Sequence, residues 1–415
     1  MTATRNLARN ALVTAVAVTL TATGCSSSKS KSSPAAGSQR GGTTVAVPHG
    51  SPFVGYSVVN SETAADNEAG IVAATRAINA SGGIDGHPIQ VRTCDDNATS
   101  ATAATCARTA ISDPSVLAMV NISSTFGSVY DPLINQARIA NIAVEPYGPA
   151  DETSPMSFPL TSAGLNTIAA AYAGVTILGD KRIGVPYIAL PAGAVLPPFA
   201  EQLIKPVGGT VVGAVAIPPS ASDLTSFAAS EVAAKPDLVV DGLPSTLYED
   251  LIKAMQSQGA QTTYQISTGV FDSAQIQSQF GNSANIILSD EYDHGAPGYQ
   301  SFLHDMATYN GRFGDHNDSA LSGWMGVEAF AQALKALTAQ GDASPTRSDI
   351  VNWLSSQTDF DVQGLSSGLN FTKPATGLGG TVPRVFSTKV WLSSVKDGKE
   401  VPMNGGKPVS LPGWS

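Results

Sequence analysis

Between residues 66 and 80, Ile71, Ala74, Thr75 and Ile78 recur at i, i+3, i+4 and i+7, the spacing of one helix face. Gly82 and Gly83 follow, suited to the left-handed backbone that caps a helix, and Asp85-Gly86 makes the next tight turn. Ile89 and Val91 begin a strand over 89–93, so this stretch reads as the αβ half of a βαβ unit. The alternation persists. It predicts strands at 44–47, 89–93, 116–120 and 141–144, with helices at 66–80, 100–112 and 126–140. Residues 48–65 read as a long polar loop containing Phe53 and Tyr56. A second series predicts helices at 163–178, 194–206, 223–234 and 245–258, and strands at 182–186, 210–217, 237–241, 263–267 and 285–288. Such alternation implies two doubly wound α/β domains with parallel sheets. After Asp290 come helices at 298–310, 319–338 and 347–355 without an intervening strand, then a glycine-rich tail with a strand-like 385–392. Helices without strands between them do not make another domain of that kind, so they are expected to pack back onto an earlier sheet.

Composition narrows the function classes. A chain of 415 residues, 42% hydrophobic and 13% charged, is long enough to bury two cores. Its formal charge of -10 and pI near 4.9 argue against nucleic acid, because binding phosphates needs clustered Lys and Arg. The N-terminus speaks to location. Arg5 and Arg9 precede an apolar run at 11–20, and Thr21-Ala-Thr-Gly-Cys25 follows, which reads as a secretory signal too short to span a bilayer. Residues 26–44 form a Ser/Gly/Lys tether without apolar period. With Cys25 set apart, Cys94 and Cys106 are an even pair in an exported chain. A disulfide is the default expectation, against two buried free thiols or a metal pair that lacks a nearby histidine.

The residues then resemble two known patterns. Gly24-Cys25 behind small residues is similar to the lipobox of bacterial lipoproteins, although Ala22 stands where that motif usually has Leu. The resemblance implies a lipid anchor on Cys25, with 1–24 a signal peptide and 25–43 a flexible tether. Farther on, Ile78-Asn-Ala-Ser-Gly-Gly-Ile-Asp-Gly86, the strand to Cys94-Asp-Asp96, the Ser123-Ser124 loop and 141–146 resemble solute-binding proteins of the branched-chain amino acid type that serve ABC importers. The 237–242 strand, the helix ending Gln258-Gly259 and the 319–337 helix extend the likeness to about 44–395. It implies an α/β fold of two doubly wound lobes joined by a three-crossing hinge, closing on a ligand like a clamp. Lobe one would be 44–161 with 290–361, and lobe two 162–289 with 362–415. The implied role is extracytoplasmic capture of a small ligand for ABC transporter permease subunits, as a monomer with no cofactor. A lipoprotein that signals ligand occupancy to a membrane receptor is the alternative.

Ligands of open α/β sheets bind outside the carboxyl ends of the strands. That rule selects the 51–67 loop with Tyr56 and Asn60, then Ser123, Ser124 and Thr125, then Tyr147 and Gly148. In the second series it selects 187–191, 243–246 with Leu243, and 268–271 with Thr268 and Phe271. Ser123 and Ser124 precede a helix, so their hydroxyls and the first free N–H groups are expected to point at one spot. In the family the matching serine holds the ligand carboxylate; plain helix N-capping is the other reading. The family's lobe-two acids, which neutralise an ammonium, align with Asn166 and Thr268, neither of them acidic. A buried ammonium without a counter-charge is costly, so a small carboxylate or a polar neutral ligand is favoured over a zwitterion.

Catalytic chemistry finds little support. Gly364-Leu-Ser-Ser-Gly368 fits a nucleophile elbow, yet all five histidines lie upstream and no helix is expected after it. Asp290-Glu-Tyr-Asp-His294 reads as an acidic crossing segment rather than a metal cluster, because consecutive residues of an extended strand face opposite ways.

Overall fold

The computed structural model describes residues 50–162, 165–268, 273–280, 285–309, 318–397 and 399–414. The first sheet is built from β1 (Phe53–Val59), β2 (Ile89–Asp95), β3 (Val116–Val120), β4 (Asn141–Ile142) and β5 (Ser157–Phe158) in the order β2-β1-β3-β4-β5, all parallel. Between them run α1 (Ala64–Ala80), α2 (Ser100–Ser112), α3 (Gly127–Ala137) and the short α4 (Pro149–Thr153). A strand therefore stands where the sequence reading expected a loop. Phe53-Val-Gly-Tyr-Ser-Val-Val59 is buried along its whole length, as a central parallel strand must be, and the expected 48–65 loop shrinks to the turn before α1. The expected strand at 44–47 lies outside the described residues.

The second sheet has the same winding. Strands β6 (Arg182–Gly184), β8 (Thr210–Gly213), β10 (Leu238–Val239), β11 (Thr263–Ser267) and β12 (Ile286–Asp290) lie parallel in the order β8-β6-β10-β11-β12. A small parallel pair, β7 (Tyr187–Ile188) and β9 (Ala216–Ile217), stands beside it. The connecting helices are α5 (Asn166–Ala173), α6 (Pro191–Ala194), α7 (Leu196–Ile204), α8 (Thr225–Ala234), α9 (Ser245–Ser257) and α10 (Ser273–Phe280). Numbered within its own series, each sheet reads 2-1-3-4-5, the doubly wound order whose switch point opens a crevice at the carboxyl ends of the strands.

Three helices follow β12: α11 (Pro297–Tyr309), α12 (Asp318–Ala339) and α13 (Arg347–Ser355). As expected they return to the first sheet, where Phe302, Met306, Trp324, Phe330, Leu334 and Ile350 share a core with Val58, Ile71, Met119 and Ile142. The close seat of α12 on α1 requires glycine. A Cβ at Gly70 would stand 1.7 Å from the Ala320 carbonyl oxygen, and one at Gly323 2.3 Å from that of Asn67. The tail then closes the second sheet with β13 (Trp391–Lys396) antiparallel to β12 and β14 (Lys399–Pro402) antiparallel to β13.

Among the described residues the chain leaves or re-enters the first core three times, between Leu160 and Leu165, between Leu288 and Tyr292, and between Phe371 and Leu378. Val362, Leu365, Leu369 and Phe371 belong to the first core, and the Phe371 ring meets Phe158 edge-on at 5.4 Å. Cys94, in β2, and Cys106, in α2, form a disulfide with Cα atoms 5.9 Å apart. No helix among the described residues is long and apolar enough to cross a membrane.

Candidate functional site

The loops at the carboxyl ends of the two sheets meet. Glu62, in the turn between β1 and α1, accepts a hydrogen bond of 2.6 Å from the hydroxyl of Ser245, the first residue of α9. Thr268, just past β11, donates to the carboxylate of Asp318, the first residue of α12. Both contacts join residues of the first body, Glu62 and Asp318, to residues at the carboxyl ends of the second sheet's strands.

On the first sheet the carboxyl edge is a continuous network. Asn67 donates to Asn121 Oδ1 at 3.2 Å, Asn121 to Ser322 Oγ at 2.6 Å, and Ser322 to Glu145 Oε1 at 2.7 Å. Tyr147 donates its hydroxyl to the other oxygen of Glu145. Burial raises the Glu145 carboxyl above its usual range and the Tyr147 hydroxyl well above its own. Gly148 precedes α4 and is half-buried.

Ser123 and Ser124 enter this network with partners inside the protein. The Ser123 hydroxyl donates to Asn67 Oδ1 at 3.1 Å and accepts the Asn60 N–H at 3.3 Å. The Ser124 hydroxyl donates to Asp96 Oδ2 at 2.7 Å and accepts the Phe126 N–H at 3.3 Å. Both residues are fully buried. The expectation that their hydroxyls converge on one spot is thus corrected: each binds a different neighbouring loop, and only Thr125 beside them is exposed. Asn60 braces its own turn, its Oδ1 accepting the Glu62 N–H at 2.9 Å. Tyr56 lies inside β1 rather than in a loop, and its ring packs in the first core.

On the second sheet Asn166 opens α5, buried, with Nδ2 3.5 Å from the Ser267 hydroxyl and Oδ1 without a hydrogen-bond partner. The Thr268 hydroxyl also lies 3.2 Å from the Ser289 carbonyl oxygen. Leu243 is buried in the second core. Phe271 lies outside the described residues.

Sequence reasoning missed Asp241. With β10 ending at Val239, Asp241 already belongs to the loop at the carboxyl end, and its Oδ1 lies 3.4 Å from the Leu243 N–H. Burial pushes its carboxyl up to about 7, with nearby Glu62 adding to the effect. The available signal was the strand-end rule; taking Asp241 as the last strand residue hid it. The described residues of the loops joining these sheets' carboxyl ends to the next helices include no Lys or Arg. A ligand here meets carboxylates, hydroxyls and amides, which between them accept and donate hydrogen bonds, without a Lys or Arg to pair with a negative charge.

The comparisons agree with this architecture. The periplasmic binding protein family profile matches residues 54–397. A substrate-binding periplasmic protein from Ralstonia solanacearum is 17% identical, with TM-score 0.71 over 85% of this chain and 99% of that one. A leucine-binding protein from Thermotoga maritima is 16% identical, with TM-score 0.67 over 86% and 99%. A fatty acid ABC transporter substrate-binding protein from Thermomonospora curvata is 15% identical, with TM-score 0.69 over 87% and 92%. No curated protein sequence matches. Two sheets of 2-1-3-4-5 winding, three passages between their cores and a family match across both make the chain a member of the periplasmic binding protein family, with the type I fold and a binding rather than catalytic role.

Proposed function

We propose that this chain is an extracytoplasmic solute-binding protein, anchored by a lipid on Cys25, that captures a small polar or carboxylate-bearing ligand between its sheets and delivers it to an ABC transporter permease. We take the lobes as 44–161 with 290–361 and 162–289 with 362–415, with the last boundary moved past Phe371 because Val362, Leu365, Leu369 and Phe371 pack in the first core. The observation that carries the reading is the meeting of the two carboxyl edges through Glu62–Ser245 and Thr268–Asp318 around a buried acid, Asp241. Asp241 supplies the counter-charge that Asn166 and Thr268 lack, so a ligand bearing both a carboxylate and an ammonium fits as well as a neutral polar one. The fold serves both a leucine-binding protein and a fatty acid transporter's substrate-binding protein.

The test is a thermal-shift screen of the soluble chain against amino acids, amines, short carboxylates, sugars and fatty acids. A ligand at 100 times its Kd adds about 2.7 kcal/mol. The largest shift is expected from a small polar solute, and Asp241→Asn should weaken that ligand at least tenfold. A largest shift from a fatty acid, or an affinity unchanged by Asp241→Asn, would sink the reading. Anchoring is tested separately, because Cys25→Ser should abolish incorporation of radiolabelled fatty acid.

A further inference from the structure

The segment after β12 does not run on extended. It bends at Glu291 and Tyr292, and the Ala296 N–H returns to the Asp293 carbonyl oxygen at 2.9 Å. This fold-back places His294 beside Asp290, and α12 adds Asp318 from the other core. His294 Nε2 stands 2.8 Å from Asp290 Oδ2 and 3.3 Å from Asp318 Oδ1, and one donor atom from each of the three residues lies within 4.8 Å of the others. Both carboxylates are buried, at 7% exposure each, while the imidazole keeps a partly open side. From these donors we infer that Asp290, His294 and Asp318 form a binding site for a divalent transition-metal cation at the second passage between the cores.

Three lines support the assignment. The first is spacing. Ligand atoms about 2.1 Å from a metal are roughly 3.0 Å apart at right angles and roughly 3.4 Å apart at tetrahedral angles. The separation of 3.3 Å falls inside that range and the one of 2.8 Å just short of it, so a small adjustment lets a metal take the place of a hydrogen-bonding proton.

The second is support of the ligands from behind. The imidazole stacks on the Tyr299 ring with centroids 4.1 Å apart and planes at 16°, and Thr268 holds the second oxygen of Asp318. Outer contacts of this sort fix ligand orientation in metal sites.

The third is charge. The Asp318 carboxylate acts electrostatically on both Asp290 and Glu145, so negative charge is crowded around it. One imidazolium leaves an Asp–His–Asp triad at net -1, whereas a divalent ion on a neutral imidazole brings it to zero. One nitrogen and two carboxylate oxygens, with open positions for water, suit Zn²⁺ or Mn²⁺ and not a cation that demands oxygen alone. Because Asp290 ends a strand of the second sheet and Asp318 starts a helix of the first core, the ion would tie the two bodies at their crossing.

The test is equilibrium dialysis of the full chain, stripped with a chelator and free of any histidine tag, against Zn²⁺, Mn²⁺ or Ca²⁺ with elemental analysis. One Zn²⁺ or Mn²⁺ per chain is expected, Zn²⁺ bound more tightly and Ca²⁺ at least tenfold more weakly. His294→Ala and Asp318→Asn should each weaken binding at least tenfold, and His304→Ala, at an exposed position on α11, should not. Because either cluster variant can fail to fold, the unmodified chain loaded with Mn²⁺ supplies a second reading. Its pulsed electron paramagnetic resonance should show coupling to one imidazole nitrogen. Absence of stoichiometric metal, binding at full strength in His294→Ala, or a Mn²⁺ signal without nitrogen coupling overturns the assignment.

Discussion

Replacing Glu231 with glutamine isolates the cost of one buried charge. Glu231 lies on α8, fully buried, with Oε1 accepting the Val215 N–H at 3.2 Å and Oε2 without a partner. It sits against two strand glycines so closely that a Cβ at Gly213 or Gly184 would come within 1.9 or 2.9 Å of Oε2. Burial pushes the carboxyl from 4.5 up to about 7. The folded state therefore keeps a proton that the unfolded chain releases, and stability falls as pH rises from about 4.5 to about 7. Each pH unit in that window removes about 1.4 kcal/mol, which sums to about 3 kcal/mol by pH 8. Glu231→Gln is neutral throughout. It should match the parent in stability near pH 4.5 and exceed it by up to about 3 kcal/mol near pH 8. Urea unfolding of both chains at about pH 4.5, 6 and 8 reads the difference. A difference that is the same at all three would refute the argument, because it would mean that shape and not ionisation sets the energy of this site.

Two further substitutions test neighbouring parts of the fold. The Cys94–Cys106 bridge joins residues 12 apart, and constraining so short a loop in the unfolded chain contributes about 3 kcal/mol. The Cys94→Ser, Cys106→Ser double variant should lose that amount in urea unfolding, and no change would place the stabilisation elsewhere. Ser124→Ala removes a partner from both the Asp96 carboxylate and the Phe126 N–H, which should lower stability by about 1 to 3 kcal/mol. Unchanged stability with a tenfold loss of ligand affinity would instead give that hydroxyl to the ligand.

Helix positions were legible in the sequence wherever an apolar period was bounded by a cap. The spacing predicts α2 at 100–112 and α13 at 347–355, and both are observed there, one capped by Thr99 and the other by a Thr346–Asp349 capping box. The first strand was not legible, because Gly55 and Ser57 interrupt 53–59 and make it look like loop. Both have packing reasons that only the fold exposes. A Cβ at Gly55 would stand 2.8 Å from Val120 Cγ2, and Ser57 donates to the Asn121 carbonyl oxygen at 2.8 Å. The strand-end rule points to the carboxyl ends of both sheets, but it could not say which way a hydroxyl turns. Ser123 and Ser124 look inward because Asn67 and Asp96 are already there to accept them.

The acids of the crevice were hidden for a different reason: their meaning depends on which body each belongs to. Reading lobe two alone, Asn166 and Thr268 leave an ammonium unmatched. In the fold, Glu62 comes from the first sheet and reaches the start of α9, a few residues past Asp241. Its charge helps to hold the Asp241 carboxyl above the usual carboxylate range. Two carboxylates brought together from opposite sides repel, and the repulsion grows as the crevice closes and water leaves. A ligand that places a donor or a positive group between Glu62 and Asp241 removes that opposition; an anion placed there adds to it. On the proposed function, closure opposes an anion placed between Glu62 and Asp241, so a carboxylate-bearing ligand has to turn that group elsewhere and present a donor or a positive group to this pair.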